Sequence, residues 1–389
     1  MNHTDLLSGQ FQLRPGTERP IVGQRGVLGG GRLGHLLRGQ SGAQVGASLT
    51  SLFSLCAHAH RRTADMAQAL ARPGAQQTPA TDPTVLLWLE TARDHLRSIA
   101  LDWPQRLPER SAAAQNLDWL RDCPLHLVVN RAHTDDAADA WETLAELRTW
   151  LERRVLLQPI SDWLPSHRDP EALALWCSAQ APRLLPARCL AQGYPMARSL
   201  TPPTRCLDVL DADLALQSAQ LRELARSLVH EREFAQRPTW LGECAESGPW
   251  TRLRHRRDRA QAQPSAWTRL AARWMELMEI AAADPSALSQ GQVPLLSCGA
   301  LALAEGQALA WCEMARGLLL HWVQLDARGA VQDYRVLAPT EWNFHPEGAL
   351  ARALSALPPG ATLAAQTLAA AFDPCVVCTV QPAATGNSA

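Results

Sequence analysis

Long apolar runs, a leading basic segment and a large net charge are all missing from this sequence. No stretch approaches the ~18 apolar residues of a membrane span, and no basic segment followed by an apolar stretch marks a signal peptide. The formal net charge is −1, so no overall positive field favours nucleic acid or a membrane surface. These absences predict a cytoplasmic protein without nucleic-acid or membrane partners.

Tyrosine and phenylalanine are also scarce, with 2 and 5 copies against 14 tryptophans. We expect the indoles to anchor the packing of helices, because large aromatic rings contribute most when they are buried. Hydrophobic residues make up 47% of the chain and charged residues 19%, which is typical of globular proteins. The chain has 389 residues, enough for a substantial core, and it contains no internal repeat.

The hydrophobic pattern predicts a mainly α (α+β) protein. Residues 1–46 are rich in glycine and favour short strands and turns, while residues 47–295 carry apolar positions at helical spacing. The first helix is predicted from about 48 to 70 with Ser48 as its cap. In residues 296–389, two β-prone runs around Asp-Ala-Arg-Gly predict a hairpin near 317–338, followed by a helix. We expect one domain over 1–389.

Further helices are predicted within PTVLLWLETARDHLRSIAL, AADAWETLAELRTWLERRVL, PEALALWCSA, ADLALQSAQLRELARSLVHEREFA, SAWTRLAARWMELMEIAAA and, near the C-terminus, ATLAAQTLAAAF. Short loops containing proline separate most of them. The basic run RLRHRRDR, residues 252–259, is predicted to be a solvated helix face. Docking of an acidic partner there is the less favoured reading.

Of ten cysteines, only Cys375 and Cys378 form a close pair. In a reducing compartment such a pair is typically catalytic or metal-binding, but a redox pair usually starts a helix, whereas this one follows a predicted helix. A zinc site needs four ligands, and Cys56 and His60, one helical turn apart, could complete a Cys3His set. The remaining cysteines are predicted to be structural: Cys123, Cys177, Cys189, Cys206, Cys244, Cys298 and Cys312.

The residues around these thiols form ordered motifs. MARGLLLHWV (314–323), LAPTEWNF (337–344) and FDPCVVCTVQ (372–381) follow one another, and SLFSLCAHAH (51–60) and ARDHLRSIALDWP (92–104) precede them. Together with GRLGHLL (31–37), they resemble motifs of the nickel-iron hydrogenase large subunit. The resemblance implies that family's fold, a helix bundle with peripheral short strands.

The resemblance also implies a set of metal ligands. Cys375 matches a terminal nickel ligand, and Cys56 and Cys378 match the two thiolates that bridge nickel and iron. The fourth cysteine position falls on Phe53. The bridging pair is therefore retained and the nickel set is incomplete.

Two more working parts of the hydrogenases are replaced. The acidic residue before Gly-His falls on Leu33, and the final histidine falls on Gln381. Only a short segment follows Gln381, without the longer extension that maturation removes in the family. These departures imply that the chain lacks proton-transfer and nickel functions.

The residues that would surround the iron are present. By resemblance, Arg316 and Thr340 donate hydrogen bonds to the cyanide ligands, His60 supports a bridging sulfur, and Asp94 and Asp373 position Arg316. Taken singly, each would be an ordinary buried or surface residue, such as a small buried thiol at Cys56. The ordered set favours the iron interpretation.

The resemblance thus predicts a non-catalytic maturation scaffold of the HupK/HoxV type. Such a protein would hold the Fe(CN)2(CO) fragment transiently, without nickel, receive it from a HypC-type maturation chaperone and pass it to the apo hydrogenase large subunit. Two alternatives remain open: a divergent active hydrogenase large subunit, and a Cys3His zinc-stabilised interaction protein.

Overall fold

The computed structural model describes residues 9–25, 32–53, 55–72, 85–108, 117–127, 137–210, 213–256, 263–284 and 295–381. Within these ranges the chain forms a helical body with two small sheets. Gly31 of the 31–37 motif, residues 257–259 of the basic run and the segment after Gln381 lie outside the described residues. No helix in the described ranges is both long enough and apolar enough to cross a membrane.

The helices of the N-terminal half carry several of the predicted site residues. They are α1 (Arg32–Leu37), α2 (Ala43–Leu52), α3 (Ala57–Ala71), α4 (Val85–Arg97), α5 (Trp103–Arg106), α6 (Ala137–Trp150), α7 (Ile160–Ser166) and α8 (Pro170–Gln180). π-Helical turns over Ser98–Asp102 and Leu151–Leu156 extend α4 and α6.

The remaining helices are α9 (Leu185–Ser199), α10 (Leu214–His230), α11 (Pro249–Arg256), α12 (Ala266–Ala281), α13 (Pro339–Asn343), α14 (Ala349–Ser355) and α15 (Thr362–Phe372). α12 lies in the middle of the body, where it contacts α4, α9 and α15. It begins with a reciprocal capping box in which Ser265 and Thr268 satisfy each other's backbone N–H groups.

The strands are β1 (Gly9–Leu13), β2 (Ile21–Arg25), β3 (Cys298–Ala304), β4 (Gln307–Met314), β5 (Gly317–Leu325), β6 (Val331–Leu337) and β7 (Val377–Val380). β3 to β6 form an antiparallel sheet in chain order, and the other sheet has the order β2-β1-β7 with β7 parallel to β1. The hairpin predicted near 317–338 is confirmed as β5 and β6.

The helix predicted over 48–70 is wrong as a single element. The chain leaves α2 at Phe53 and re-enters helix after Cys56, while Ser48 lies inside α2 rather than at a cap. α4 stabilises the break: Arg93 donates to the Leu55 carbonyl oxygen at 2.6 Å. Helix ends leave backbone groups without partners inside the helix. Here a side chain of another helix supplies a partner, so the chain can interrupt the helix although the apolar pattern continues.

Gly317, directly after Arg316, is required by close packing. Its φ is 134°, and a Cβ at this position would lie 2.8 Å from the carbonyl carbon of Ser247. Gly39 also has a positive φ, 81°, but a Cβ there would meet nothing within 4 Å. Alanine at position 317 would therefore add a steric clash to the backbone strain, whereas alanine at position 39 would add backbone strain alone.

We expect Gly317→Ala to lower the free energy of unfolding by about 2 kcal/mol more than Gly39→Ala, because only the former adds overpacking. Urea denaturation of the two variants and the parent protein measures the difference. Equal losses in the two variants would contradict the close approach at Ser247.

Candidate functional site

Residues from both ends of the chain meet at the predicted thiol site. Cys56 is the N-cap residue of α3 and is buried, and Cys375 follows α15 by three residues. Burial raises the pKa of the Cys56 thiol well above its ordinary value, and the neighbouring Cys375 raises this pKa further. The two thiols are therefore electrostatic neighbours, although 318 residues of sequence separate them.

Thr340, near the start of α13, completes this side of the site. Its Oγ1 lies 3.0 Å from the Sγ of Cys375, and the side chain is buried. The hydroxyl belongs to the Pro-Thr-Glu-Trp-Asn segment singled out in the sequence. It places a polar group in hydrogen-bond contact with the Cys375 thiol.

Arg316 lies at the turn between β4 and β5 and is buried. Its Nη1 donates to Asp94 Oδ2 at 3.1 Å, and its Nε lies 3.3 Å from Asp373 Oδ2. Burial opposes the charge of Arg316, but Asp373 and Asp94 outweigh that effect and raise its pKa. The guanidinium is thus held ionised and oriented by carboxylates from α4 and from the end of α15.

Two nitrogens of this guanidinium, Nη2 and Nε, make no hydrogen bond to the described residues. None of the described residues accepts a hydrogen bond from Nη2 of Arg316. Nε is buried and makes no hydrogen bond either, although it lies 3.3 Å from Asp373 Oδ2. Because a buried donor without an acceptor is costly, the guanidinium is suited to a ligand that supplies acceptors. Cys56 and Cys375 are both close enough to act on the Arg316 charge.

Asp373 is shared by several partners. Its Oδ1 accepts from Ser98 Oγ at 2.8 Å, and Arg273 Nη2 lies 3.4 Å from its Oδ2. Burial opposes ionisation of Asp373, but Arg273 and Arg316 hold its pKa at about 2. Its backbone is left-handed, with φ 48°, and this turn directs the chain out of α15 into the Cys375 segment.

Glu90 on α4 is a site residue that sequence reasoning missed. Its two carboxylate oxygens accept the backbone N–H groups of His58 at 2.8 Å and Ala59 at 2.9 Å, at the start of α3. Burial, followed by the charge of Asp94, raises its pKa to about 7. The signal was the spacing of Glu90, Arg93 and Asp94, which places the three on one face of a helix.

His60 lies in a buried stack of rings. Phe53 packs on it face to face with ring centroids 3.6 Å apart, and its Nδ1 lies 2.9 Å from His321 Nε2. The other nitrogen of His321, Nδ1, lies 2.6 Å from the Tyr334 hydroxyl. Burial lowers the pKa of His321 to about 3, so His321 is neutral and donates from one ring nitrogen only.

Cys378 has a different setting from Cys56 and Cys375. It lies on β7 opposite Phe11 of β1 and is half-buried. Burial raises its pKa to about 11, and Arg106 opposes the rise. Across the described ranges, no three His, Cys, Asp or Glu side chains converge as a ready metal site. A centre formed by Cys56, Cys375 and Cys378 therefore stays a prediction.

The positions that depart from the hydrogenase pattern are occupied as follows. Phe53, where a fourth cysteine is absent, is buried against His60. Leu33 is buried in α1. The backbone N–H of Gln381 donates to the Leu13 carbonyl oxygen at 2.8 Å and continues the pairing of β7 with β1.

Behind the site lies a buried ionic network that the sequence did not reveal. Glu276 on α12 accepts from Arg252 Nε at 2.9 Å and contacts His95 Nε2 at 2.8 Å. Arg252 is buried, so the prediction of a solvated face is wrong at this residue. Charged residues are rarely buried without partners. The charged residues that interrupt the apolar pattern of α12 were the sequence signal for this buried network.

The comparisons with known proteins agree with this architecture. The family model described as "Nickel-dependent hydrogenase" matches residues 259–381. The hydrogenase expression/formation protein HoxV of Cupriavidus necator is 38% identical, with 98% of this chain and 97% of the relative covered. HupK of Bradyrhizobium diazoefficiens, of the same description, is 28% identical, with 88% of each chain covered.

Among solved structures, the NAD+-reducing NiFe-hydrogenase in the H2-reduced state aligns with a TM-score of 0.51. The alignment covers 92% of this chain and 93% of the other at 15% identity. The predicted fold class, a hydrogenase large-subunit-like helix bundle with short peripheral strands, is thereby confirmed. The chain belongs to the family of hydrogenase expression/formation proteins that includes HoxV and HupK.

Proposed function

We propose that this chain is a non-catalytic assembly scaffold in the maturation of a nickel-iron hydrogenase. It holds the Fe(CN)2(CO) fragment as cargo and passes it to the apo large subunit. The expression/formation descriptions of its relatives support a maturation role. The proposal includes delivery of the fragment by a HypC-type maturation chaperone and places both encounters in the cytoplasm.

The observation that carries the proposal is the environment of Arg316. Cyanide nitrogens are hydrogen-bond acceptors, and a buried acceptor needs a donor. Nη2 of Arg316 has no acceptor among the described residues, while Asp94 and Asp373 hold the rest of the guanidinium. A charged donor makes stronger hydrogen bonds than a neutral one, and Thr340 adds a hydroxyl nearby.

The thiols are proposed to supply the ligands of the iron. Low-spin iron with CO and CN⁻ ligands is a soft centre suited to thiolate donors. We propose Cys56 and Cys378 as the thiolates that hold the iron, with Cys375 beside them. Because burial raises the pKa of Cys56, its thiol is protonated without cargo, and loading of the iron displaces that proton.

Nickel is not part of the proposed cargo. At the position where the family carries its fourth cysteine, the ring of Phe53 is packed against His60. Two thiolates without a fourth cysteine to trap the fragment can hold the iron and still release it, which suits transfer. His60 is proposed to support a cargo-bearing sulfur, since outer groups commonly orient metal ligands.

Infrared spectroscopy tests this proposal. Protein purified from a maturation-competent host is expected to show bands for bound CO and CN⁻, and metal analysis is expected to find iron without nickel. Nickel with hydrogen uptake would instead support a divergent hydrogenase subunit. Stoichiometric zinc without CO and CN⁻ bands would support the Cys3His alternative and overturn the scaffold.

Single cysteine variants identify the thiolates. Loss of outer-shell partners already lowers metal affinity by about 10–100-fold, so Cys56→Ser and Cys378→Ser are each expected to lower the band intensity per protein at least ~10-fold. Cys375→Ser is expected to keep the bands and shift their frequencies. Cys177→Ser, at a buried thiol on α8, is the matched control with unchanged bands. Equal intensities in all four variants would contradict thiolate binding.

A further inference from the structure

Two further cysteines face each other across a pair of strands. Cys298 on β3 is the direct partner of Cys312 on β4 in the antiparallel register. The adjacent pair is backbone-bonded, since the Glu313 N–H donates to the Ser297 carbonyl oxygen at 2.8 Å. Hydrogen-bonded and non-hydrogen-bonded pairs alternate along such a ladder, so Cys298 and Cys312 form a non-hydrogen-bonded pair, whose Cα atoms are typically about 4.5 Å apart.

This spacing suits a covalent link. Disulfides usually join Cα atoms roughly 4.4–6.8 Å apart, and directly opposite residues project their side chains from the same face of a sheet. The Cys298 side chain also helps to raise the pKa of Cys312, as expected for adjacent thiols. The two sulfurs can therefore be joined without a shift in the register of β3 and β4.

The two thiols differ in access. Cys298 is only half-buried and lies on an edge strand of its sheet, whereas Cys312 is fully buried. α3 packs on β3 and β4, and the Thr63 side chain of α3 lowers the pKa of the Cys312 thiol. Thr63 lies one helical turn beyond His60, so the pair sits beneath the helix that begins at Cys56.

We propose that Cys298 and Cys312 are a reversible dithiol–disulfide site that reacts with small-molecule disulfides of the glutathione type. The site is separate from the proposed cargo thiols, and the inference does not depend on the scaffold function. Its half-exposed member meets the reagent, and its buried member resolves the adduct.

The chemistry balances in two exchanges. The Cys298 thiolate attacks one sulfur of the disulfide reagent, forms a mixed disulfide and releases one reagent thiolate. Cys312 then gives its proton to water, attacks the Cys298 sulfur and expels the second reagent thiolate. The protein dithiol loses two electrons and two protons, and one reagent disulfide becomes two thiols.

Peptide mapping under non-reducing conditions tests the site in the full-length protein. After incubation with oxidised glutathione, we expect a linked peptide pair containing Cys298 and Cys312, lighter by two hydrogen atoms than the sum of its free peptides. Reduced glutathione in excess is expected to reverse the link. A lasting glutathione adduct on Cys298 without the link, or no modification at either residue, would overturn the proposal.

Two variants separate attack from resolution. Cys312→Ser is expected to accumulate the glutathione adduct on Cys298, because the resolving thiol is absent. Cys298→Ser is expected to leave Cys312 unmodified, because Cys312 is buried. Circular dichroism checks that both remain folded, and the measurement on the unaltered protein decides the question independently of either variant. Rapid modification of Cys312 in folded Cys298→Ser would contradict the assigned order.

Discussion

Replacement of Arg316 by methionine is expected to lower the free energy of unfolding by about 3 kcal/mol. The change removes the cation between two buried carboxylates, Asp94 and Asp373. Removing one partner of a buried ion pair typically costs about 3–5 kcal/mol, because it leaves uncompensated charge. We expect the lower end of this range, since Arg93 still contacts Asp94 and Arg273 still contacts Asp373.

Urea denaturation at neutral pH measures this loss. The matched control is Arg335→Met, which removes a partly exposed ion pair with Asp333 and is expected to cost less than about 1 kcal/mol. Arg316→Lys keeps the charge but cannot present a planar fork of donors to two carboxylates, so an intermediate loss is expected. A loss in Arg316→Met no larger than that of Arg335→Met would show that Arg316 is not a structural centre.

The second large effect is a loss of stability in mild acid that depends on His321. Burial lowers the pKa of this imidazole to about 3 in the folded protein, whereas an unfolded chain has the ordinary value of about 6.5. Below pH 6.5 the unfolded state therefore binds a proton that the folded state does not. The stabilising contribution is present above pH 6.5 and is lost as the pH falls from 6.5 towards 3.

Between pH 7 and pH 5 this single group is expected to lower the free energy of unfolding by about 2 kcal/mol. His321→Gln removes the titrating ring, so the stability difference between the unaltered protein and this variant should shrink by that amount over the same range. Tyr334→Phe is the control. It removes the hydroxyl bonded to His321 but no imidazole, so its pH dependence should match the unaltered protein. A pH-independent difference for His321→Gln would contradict the assignment.

The parts of the fold that the sequence predicted are those with strong local signals. The hairpin of β5 and β6 turns at Asp326, whose side chain accepts the backbone N–H groups of Arg328 and Ala330, and turns of this kind are encoded locally. α15 was also predicted within one residue of its bounds. The interruption at Phe53–Cys56 was not predictable, because its stabilising partners lie on α4.

The candidate site was also predicted only in part. Arg316, Asp94 and Asp373 were named through motif resemblance, and the ion pairs between them are long-range contacts that no local pattern encodes. Glu90 and Glu276 were missed for a related reason. A single glutamate in an amphipathic helix is normally assigned to its solvated face, and only the packed structure shows that each is buried among specific donors.

The short β7 strand has a consequence for release of cargo. β7 is an edge strand that pairs only with β1 among the described strands, and its side chains at Val377 and Thr379 are exposed. Segments with few buried contacts open locally at a fraction of the free energy of global unfolding. Under the proposed function, local separation of β7 from β1 would expose Cys378. A receiving subunit would then reach the iron while the helical body stays folded.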